Sequence, residues 1–101
     1  MPSSFERLVL QESPDAQVLL DPSGMVLYWN SGAEVVFGFS KSEAMGCLLS
    51  SMVVPREQID EEDKIFRETL KTGHTTYESI RRRKDGSFVY LDISNKVTIT
   101  L

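Results

Sequence analysis

The residues capable of acid–base or nucleophilic chemistry are few, and their spacing is not typical of an enzyme. His74, the single histidine, follows Gly73 at a predicted junction between a helix and a strand. Catalysis of this kind needs a nucleophile, a base and an orienting group within hydrogen-bond reach of one another. None of the serines lies in the G-x-S-x-G turn that exposes a nucleophile in hydrolases. The sequence therefore predicts a protein that is not an enzyme.

The sequence offers no convincing metal ligands either. Cys47 and His74 are the single cysteine and the single histidine, too few for a zinc site built from four such ligands. A run of carboxylates lacks the D-x-D-x-D-G spacing of a calcium loop and is typical of the solvated start of a helix. It comprises Glu57, Asp60, Glu61, Glu62 and Asp63. We therefore expect no metal.

Bulk properties favour a single soluble domain. The chain has 101 residues, of which 41% are hydrophobic, and a formal charge of −4. Nucleic-acid binding needs clustered cations, and alternation along a strand would split the basic run 81–84 between two faces. A lone cysteine fits a reducing compartment and therefore a cytoplasmic location. Apolar runs are far shorter than the ~20 residues that span a bilayer, so we expect no membrane contact by this segment.

Two hairpins are indicated by turn residues between apolar or alternating runs. Asp21-Pro22-Ser23-Gly24 separates Val18–Leu20 from the run 25–29. Asp85-Gly86, a strong signal for a two-residue hairpin loop, separates a polar strand at 77–84 from a strand that alternates to Val97 and beyond.

Between the hairpins the sequence predicts short helices and one longer helix. Asn30 and Ser31 are candidate caps for a helix that ends at Gly38, and Ser40 with Glu43 forms a capping box for the next. Residues 47–54 are expected to form an irregular connector with at most one helical turn. A longer helix is predicted for 58–71, with Ile59, Ile65, Phe66 and Leu70 on its apolar face.

In this order the motifs resemble those of the PAS domain family, a family of sensory modules. They are the Asp21–Gly24 turn, Tyr28-Trp29-Asn30, Ala33-Glu34-Val35-Val36-Phe37-Gly38-Phe39-Ser40, Glu43-Ala44-Met45-Gly46 and Arg82-Arg83-Lys84-Asp85-Gly86-Ser87. The resemblance implies an α+β fold, in which an antiparallel sheet, five strands being expected, is flanked by short helices. Residues 1–14 are expected to form an N-terminal helical cap and residues 15–101 the PAS core, with the last strand missing or incomplete. The resemblance also implies that Glu43 pairs with a residue of the basic run.

The family's function implies two hypotheses for this chain. The first is a sensory or regulatory module of a larger signal-transduction protein, such as a bacterial two-component regulator. It would bind a small ligand, form a homodimer, or both, and so control a kinase, cyclase or transcription-regulator domain. The alternative is a pure interaction module, which dimerises and fills its pocket with its own side chains. The pocket candidates are Trp29, Phe37, Ile65, Phe66, Leu91, Ile93 and Asn95, and the interface candidates are Phe5, Leu8, Val9, Phe88 and Tyr90.

The ligand is not identified by the sequence. Light-sensing members of the family carry G-x-N-C-R-F-L-Q, but here Cys47 directly follows Gly46 and the Asn and Gln are absent, which argues against flavin adduct chemistry. Haem-binding members use a histidine on the long helix; His74 lies just past it, so haem ligation is disfavoured. Asn95 has the parity of the apolar side of its strand. There it could contact a ligand, or it could lie at the strand end in water.

Overall fold

The computed structural model describes residues 15–97, which form two antiparallel hairpins with helices between them. The elements in chain order are β1 (Val18–Leu20), β2 (Val26–Trp29), α1 (Ser31–Phe37), α2 (Lys41–Ala44), α3 (Leu49–Val53), a 3-10 turn (Arg56–Gln58), α4 (Ile59–Thr72), β3 (His74–Arg82) and β4 (Phe88–Lys96). This mixed antiparallel architecture confirms the α+β fold class that the sequence predicts. The predicted N-terminal cap and the residues after Val97 lie outside the described part of the chain.

The first hairpin bends at the predicted turn. Gly24 N donates to Asp21 O over 2.9 Å, and Asp21 N donates to Met25 O over 3.0 Å. Gly24 has a φ of 92°, a value that costs glycine little because it has no Cβ. The Asp21 carboxylate accepts from the backbone N of Ser23 and of Met25. The turn is thus closed by both main-chain and side-chain hydrogen bonds.

The second hairpin has the same kind of bend. β3 and β4 pair from His74 opposite Lys96 to Arg82 opposite Phe88. Arg83 N donates to Ser87 O over 2.8 Å and Gly86 N to Arg83 O over 3.0 Å. Inside the Arg83–Ser87 hydrogen bond the loop has three residues, Lys84, Asp85 and Gly86, and Gly86 has a φ of 88°. Such a loop is a common alternative to the predicted two-residue loop. Asp85 stabilises it by accepting from both the N and the Oγ of Ser87.

Side-chain caps set the starts of the first two helices, as predicted. Asn30 Oδ1 accepts from Ala33 N at the start of α1, over 2.8 Å. In α2 the capping box is complete, because Ser40 Oγ accepts from Glu43 N while Glu43 Oε1 accepts from Ser40 N. Each bond satisfies an amide that has no partner within its own helix.

The connector 47–54 is more ordered than the sequence predicts. It contains the five-residue helix α3, which begins without a side-chain cap. Tertiary bonds replace the missing cap: Leu49 N donates to Gly24 O over 3.0 Å, and Val26 N donates to Cys47 O over 2.8 Å. Because these partners lie in the first hairpin, no local sequence signal marks the helix.

The long helix turns most of its predicted apolar face inward, with one residue wrongly assigned. Ile59, Ile65 and Phe66 are half-buried, but Leu70 is 49% exposed, so its predicted place on the inner face is wrong. Thr69 is buried instead. Its Oγ lies 2.8 Å from Ile65 O and 2.6 Å from the Thr75 hydroxyl of β3, and these bonds allow a polar residue to occupy the interior.

The hydrophobic core lies between the first hairpin and the short helices. Its buried members are Val26, Trp29, Ala33, Phe37, Ala44, Met52, Val53 and Val54. The rings of Trp29 and Phe37 are 5.5 Å apart, and Trp29 Nε1 donates to Phe39 O over 3.0 Å. Leu91 of β4 and Ile59 at the start of α4 pack against the edge of this core. Most of α4, β3 and β4 lies beyond it.

Candidate functional site

The face of the second hairpin that is turned toward α4 combines polar and apolar side chains. Exposure alternates along both strands, and the less exposed positions define what we call the inner face. Its members are Thr75, Tyr77, Ser79 and Arg81 of β3 and Val89, Leu91, Ile93 and Asn95 of β4. The polar members of this face, together with Gln58, Glu62 and Thr69 of the opposing helical segment, form what we call the polar network.

A buried ion pair is the centre of the polar network. Arg81 is 3% exposed, and its Nη2 lies 2.6 Å from Oε2 of Glu62, a residue of the first turns of α4. The other terminal nitrogen, Nη1, donates to Ser79 Oγ over 3.0 Å and to Ile80 O over 3.1 Å. A charge removed from water needs a partner of opposite charge and further hydrogen bonds. Arg81 has both, and the pair joins α4 directly to β3.

Tyr77 contributes a second donor to the same carboxylate. Its hydroxyl donates to Glu62 Oε2 over 3.0 Å and accepts from Arg81 Nη2 over 3.1 Å. Burial, and after it the charge of Glu62, raises the pKa of Tyr77 from 10.0 to about 12. The phenol therefore stays protonated at neutral pH and remains a donor to the carboxylate.

The remaining polar contacts extend along the helix in both directions. Ser79 Oγ donates to Gln58 Oε1 over 2.8 Å, next to the start of α4. Nearer its end, the Thr69 and Thr75 hydroxyls are 2.6 Å apart. Asn95 Nδ2 lies 3.5 Å from both Thr75 Oγ1 and Tyr77 Oη. These long contacts place Asn95 on the inner face, which agrees with its predicted parity.

The structure divides the seven predicted pocket residues between two places. Trp29 and Phe37 are buried in the core and contact each other, and Leu91 packs against the edge of that core. Ile65, Phe66 and Ile93 are half-buried, but they are not among the residues that pack against the core. With Asn95 and the polar network they belong to the region where α4 packs on the inner face; we call this contact region the α4–β cleft and treat it as the candidate site.

An open depression of about 540 Å³ borders the far end of the second hairpin. Its lining residues are Thr72, Gly73, His74, Thr76, Ser94, Asn95, Lys96 and Val97. Most of them lie on the outward side of the strands or in the turn, and only Asn95 belongs to the polar network. We place the candidate site in the α4–β cleft because that is where buried charge and hydrogen-bonding groups converge.

The remaining candidates for chemistry lie apart from this cleft. His74 is exposed and belongs to the outward set of β3, so it does not face α4. Cys47 packs against the core, with its Sγ 3.4 Å from Glu43 O. Of the acidic run, Glu62 faces the strands, whereas Asp60, Glu61 and Asp63 are exposed. Within residues 15–97 no three His, Cys, Asp or Glu side chains are arranged to hold a metal ion.

The outward face of the second hairpin carries exposed apolar side chains. Phe88 is 64% exposed and Tyr90 65%, and Ile80 of the neighbouring strand is 37% exposed. The two aromatic side chains therefore have the accessibility that an interface requires. The other predicted interface residues, Phe5, Leu8 and Val9, lie outside the described residues.

Sequence reasoning missed the residues that make the ion pair. The sequence pattern places Arg81 in a basic run and Glu62 in a solvated acidic run, and neither run predicts that the two residues meet. The signal that could have found them is spacing. Tyr77, Ser79 and Arg81 share the parity of the inner face, while Gln58, Glu62 and Thr69 recur at four and seven residues, as one side of a helix does.

Comparison with known proteins supports the family assignment. The sequence pattern described as the PAS fold matches residues 5–100. A PAS domain structure from Colwellia psychrerythraea is 25% identical, covers 87% of this chain and 75% of its own, and superposes with a TM-score of 0.78. A PAS domain of an HTR-like protein from Haloarcula marismortui is 23% identical, covers 90% of this chain and 81% of its own, and gives a TM-score of 0.71.

An uncharacterized protein of Azorhizobium caulinodans is 30% identical over 67 residues. These residues are 66% of this chain but 9% of that protein, so the chain spans a small part of this relative's length. In the described part of the chain, none of the helices combines the length and apolarity needed to cross a membrane. The match of the PAS fold over nearly the whole sequence, together with the superposed structures, shows that this chain belongs to the PAS family.

Proposed function

We propose that the chain is a sensory or regulatory module of a larger signal-transduction protein, and that it acts by binding a small ligand in the α4–β cleft. Family membership supports a sensory role. The relative from Azorhizobium caulinodans, in which the matched segment is 9% of the protein, is consistent with a module that works beside other domains. One of the similar structures is a PAS domain from a two-component sensor histidine kinase, with 18% identity and a TM-score of 0.73.

The observation that carries this proposal is the polar network itself. A segment that served only to complete a core would be expected to place apolar residues between α4 and the strands, since paired charges in an interior add little net stability. Here the interface contains an ion pair, a phenol, hydroxyl groups and a carboxamide, beside half-buried Ile65, Phe66 and Ile93. Such a mixture is typical of ligand sites, where a few polar groups orient a largely apolar molecule.

The proposed mechanism is a change in how α4 packs on the strands. A ligand that contacts the inner face more favourably when α4 has moved shifts the equilibrium toward that arrangement. The change would reach an output domain, such as a kinase, a cyclase or a transcription regulator, through the chain that continues from the module. The proposal places this module in the cytoplasm and assigns it no catalytic step.

Mass measurement tests the proposal directly. The full 101-residue protein, purified without denaturation, is measured by native mass spectrometry and again after denaturation, and its absorption spectrum is recorded. We expect an additional non-covalent mass that denaturation releases. A protein without added mass, which also shows no change in stability across a library of small metabolites, would contradict ligand sensing.

A second candidate function, homodimerisation without a ligand, is favoured by the exposed outward face of the second hairpin. Phe88, Tyr90 and Ile80 form an apolar patch there, and such a patch commonly marks an interaction surface. Sedimentation over a range of concentrations should detect a dimer that Phe88→Glu dissociates. Val35→Glu is the matched control, because Val35 is an 80% exposed apolar residue on α1. A monomer at all concentrations, or equal weakening by both variants, would contradict this function.

A further inference from the structure

We propose that the polar network is a carboxylate-binding site, occupied in this structure by the protein's own Glu62, and that the ligand class of the module is a small organic carboxylate. This inference rests on the proposed ligand-sensing function. It adds the chemistry of the ligand and the way in which binding would move α4.

Two donors converge on the carboxylate of Glu62. Arg81 Nη2 donates to Oε2 over 2.6 Å, and the Tyr77 hydroxyl lies 3.0 Å from Oε2 and 3.2 Å from Oε1. Both donors belong to β3, whereas the acceptor belongs to α4. A guanidinium combined with a neutral hydroxyl donor is a recurrent arrangement for binding carboxylates. Arg81 and Tyr77 of β3 thus form a receptor for a carboxylate, and in this structure Glu62 of α4 supplies that carboxylate.

The Arg81 guanidinium is also held by contacts that do not involve Glu62. Arg81 Nη1 is fixed by Ser79 Oγ and Ile80 O, both within its own strand. Tyr77 also lies 3.5 Å from Asn95 Nδ2 on β4, a contact that does not involve the helix. If Glu62 withdrew, the donors would remain in place, and a buried guanidinium would then lack a counterion. A second carboxylate is the ligand that this vacated arrangement would bind most strongly.

Apolar side chains flank the ion pair, and the rest of a ligand would contact them. Ile65, Phe66 and Ile93 are half-buried and lie outside the group that packs against the core. Ile93 is paired with Tyr77 across the two strands, and Ile65 and Phe66 follow Glu62 by three and four residues, which places them on the same side of α4. The best occupant is therefore a molecule with a carboxylate and an apolar body, rather than an inorganic anion.

Binding of a carboxylate would be coupled to movement of α4. Glu62 and an incoming carboxylate compete for the same donors, so binding displaces the side chain that joins α4 to β3. A ligand that binds the displaced state and not the closed one moves the population by its difference in affinity. We call the Arg81–Glu62 ion pair the latch between α4 and β3, because a carboxylate ligand that displaces Glu62 would break this connection.

The test compares charged and neutral probes of the same shape. The full 101-residue protein is titrated with sodium benzoate, with benzamide and with sodium acetate at constant ionic strength. Backbone amide shifts are followed by NMR. We expect benzoate and, more weakly, acetate to shift β3 and α4 resonances, whereas benzamide leaves them unchanged. Glu62→Gln removes the internal competitor and should tighten benzoate binding about tenfold, equivalent to ~1.4 kcal/mol.

Two further variants show whether Arg81 is the receptor. Arg81→Lys keeps the charge but loses the planar fork of donors, so benzoate binding should weaken about tenfold or more. Lys84→Met removes an exposed cation outside the network and should leave the affinity unchanged. If Arg81→Lys does not fold, the Glu62→Gln comparison still decides.

Three results would overturn the inference: equal binding of benzamide and benzoate, no gain in affinity in Glu62→Gln, or no binding of either carboxylate by any variant. Failure here leaves the ligand-sensing function intact if native mass spectrometry still finds a retained molecule. A protein that retains no molecule and whose stability responds to no metabolite would instead contradict both proposals.

Discussion

Lys84 Nζ lies 2.6 Å from Glu43 Oε2, although 41 residues separate the two in sequence. The pair connects the capping-box residue of α2 to the turn of the second hairpin. Lys84 N also donates to Phe37 O over 2.9 Å at the end of α1. This region therefore joins the short helices to the second hairpin, and the structure confirms the predicted pairing of Glu43 with the basic run.

The Glu43–Lys84 pair predicts a pH-dependent contribution to stability. The ammonium of Lys84, followed by the amide of Ser40, lowers the pKa of Glu43 from 4.5 to about 2. A carboxylate whose pKa is lower in the folded state stabilises the fold above its unfolded pKa, and the stabilisation is lost as the pH falls through the folded value. We therefore expect wild type to melt at a slightly higher temperature than Glu43→Gln at pH 7. The difference should shrink between pH 4.5 and about 2.

The effect at pH 7 should be small because both side chains are substantially exposed. Thermal melts of wild type and Glu43→Gln from pH 7 to pH 2 measure it. Lys84→Met is the control and should lower the melting temperature in the same direction at pH 7. A wild-type advantage that stayed constant down to pH 2 would contradict the assignment of the effect to the ionised carboxylate.

Asn30 should contribute more to stability than a surface cap does. It is fully buried, its Oδ1 accepts from both Gln17 N and Ala33 N over 2.8 Å, and its Nδ2 donates to Asp15 O over 2.9 Å. Replacement by alanine removes the acceptor of the buried amide of Ala33 and of the partly buried amide of Gln17, so we expect Asn30→Ala to lower the free energy of unfolding by about 2–4 kcal/mol.

Ser40→Ala is the matched control for Asn30→Ala, because it removes a capping side chain at an exposed helix start. A cap of that kind is worth about 1 kcal/mol. Urea unfolding followed by the fluorescence of Trp29, the single tryptophan, measures both variants. Equal losses of stability in the two variants would show that the hydrogen bonds between Asn30 and residues 15 and 17 add little stability.

Local signals in the sequence were sufficient for the first turn and for the caps of α1 and α2. The Asp21–Gly24 turn, the Asn30 cap, the Ser40–Glu43 capping box and the stop at Gly38 depend on residues within a few positions of one another. Their physical chemistry is therefore contained in a short window of sequence. Alternation likewise placed Val89, Leu91, Ile93 and Asn95 on one side of β4.

Features that depend on distant partners could not be read in the same way. Helix α3 begins at Leu49, whose backbone N donates to the carbonyl of Gly24 in the first hairpin. The inward face of α4 includes Glu62 and Thr69 because each has a polar partner on β3, Arg81 for Glu62 and Thr75 for Thr69. A hydrophobicity pattern assigns polar residues to solvent and apolar residues to the interior. It therefore predicts Leu70 on the inward face, which is wrong. The candidate site was missed for the same reason, since its centre is charged.

Tyr77 should make the protein sensitive to alkaline conditions. Its pKa is raised to about 12 from 10.0, chiefly by burial, so the fold favours the protonated phenol. Stability from such a group is fully present below pH 10 and is lost as the pH rises through about 12. We therefore expect Tyr77→Phe to lose less stability than wild type across that interval. At pH 7 the variant should be about 1–2 kcal/mol less stable, because Glu62 and Arg81 lose a hydrogen-bond partner.

Tyr90→Phe provides the comparison for Tyr77→Phe. The Tyr90 hydroxyl donates to Glu78 Oε2 over 2.5 Å, which also raises its pKa, but the residue is 65% exposed. Its removal should change stability at pH 7 much less. Ultraviolet absorbance of ionised tyrosine, recorded together with unfolding curves from pH 9 to about 12.5, separates the two residues. A loss of stability above pH 10 that is the same in Tyr77→Phe and wild type would exclude the proposed role of Tyr77.

The Arg81–Glu62 pair should show strong energetic coupling, because each residue is costly to bury without the other. The side chains are 4% and 15% exposed. Arg81→Met leaves the carboxylate and Glu62→Leu leaves the guanidinium without its counterion, so each change alone should cost about 3 kcal/mol or more. The double variant replaces both charges with apolar groups and should cost clearly less than the sum, with a coupling of about 2 kcal/mol.

Urea unfolding of the four proteins in this double-mutant cycle measures the coupling. The corresponding cycle on Glu43 and Lys84, an exposed pair, should show much weaker coupling because solvent screens the charges. Additive losses at Arg81 and Glu62 would mean that the two groups do not depend on each other in solution. In that case Glu62 would not be a counterion that a ligand could displace, and the latch between α4 and β3 would have no energetic basis.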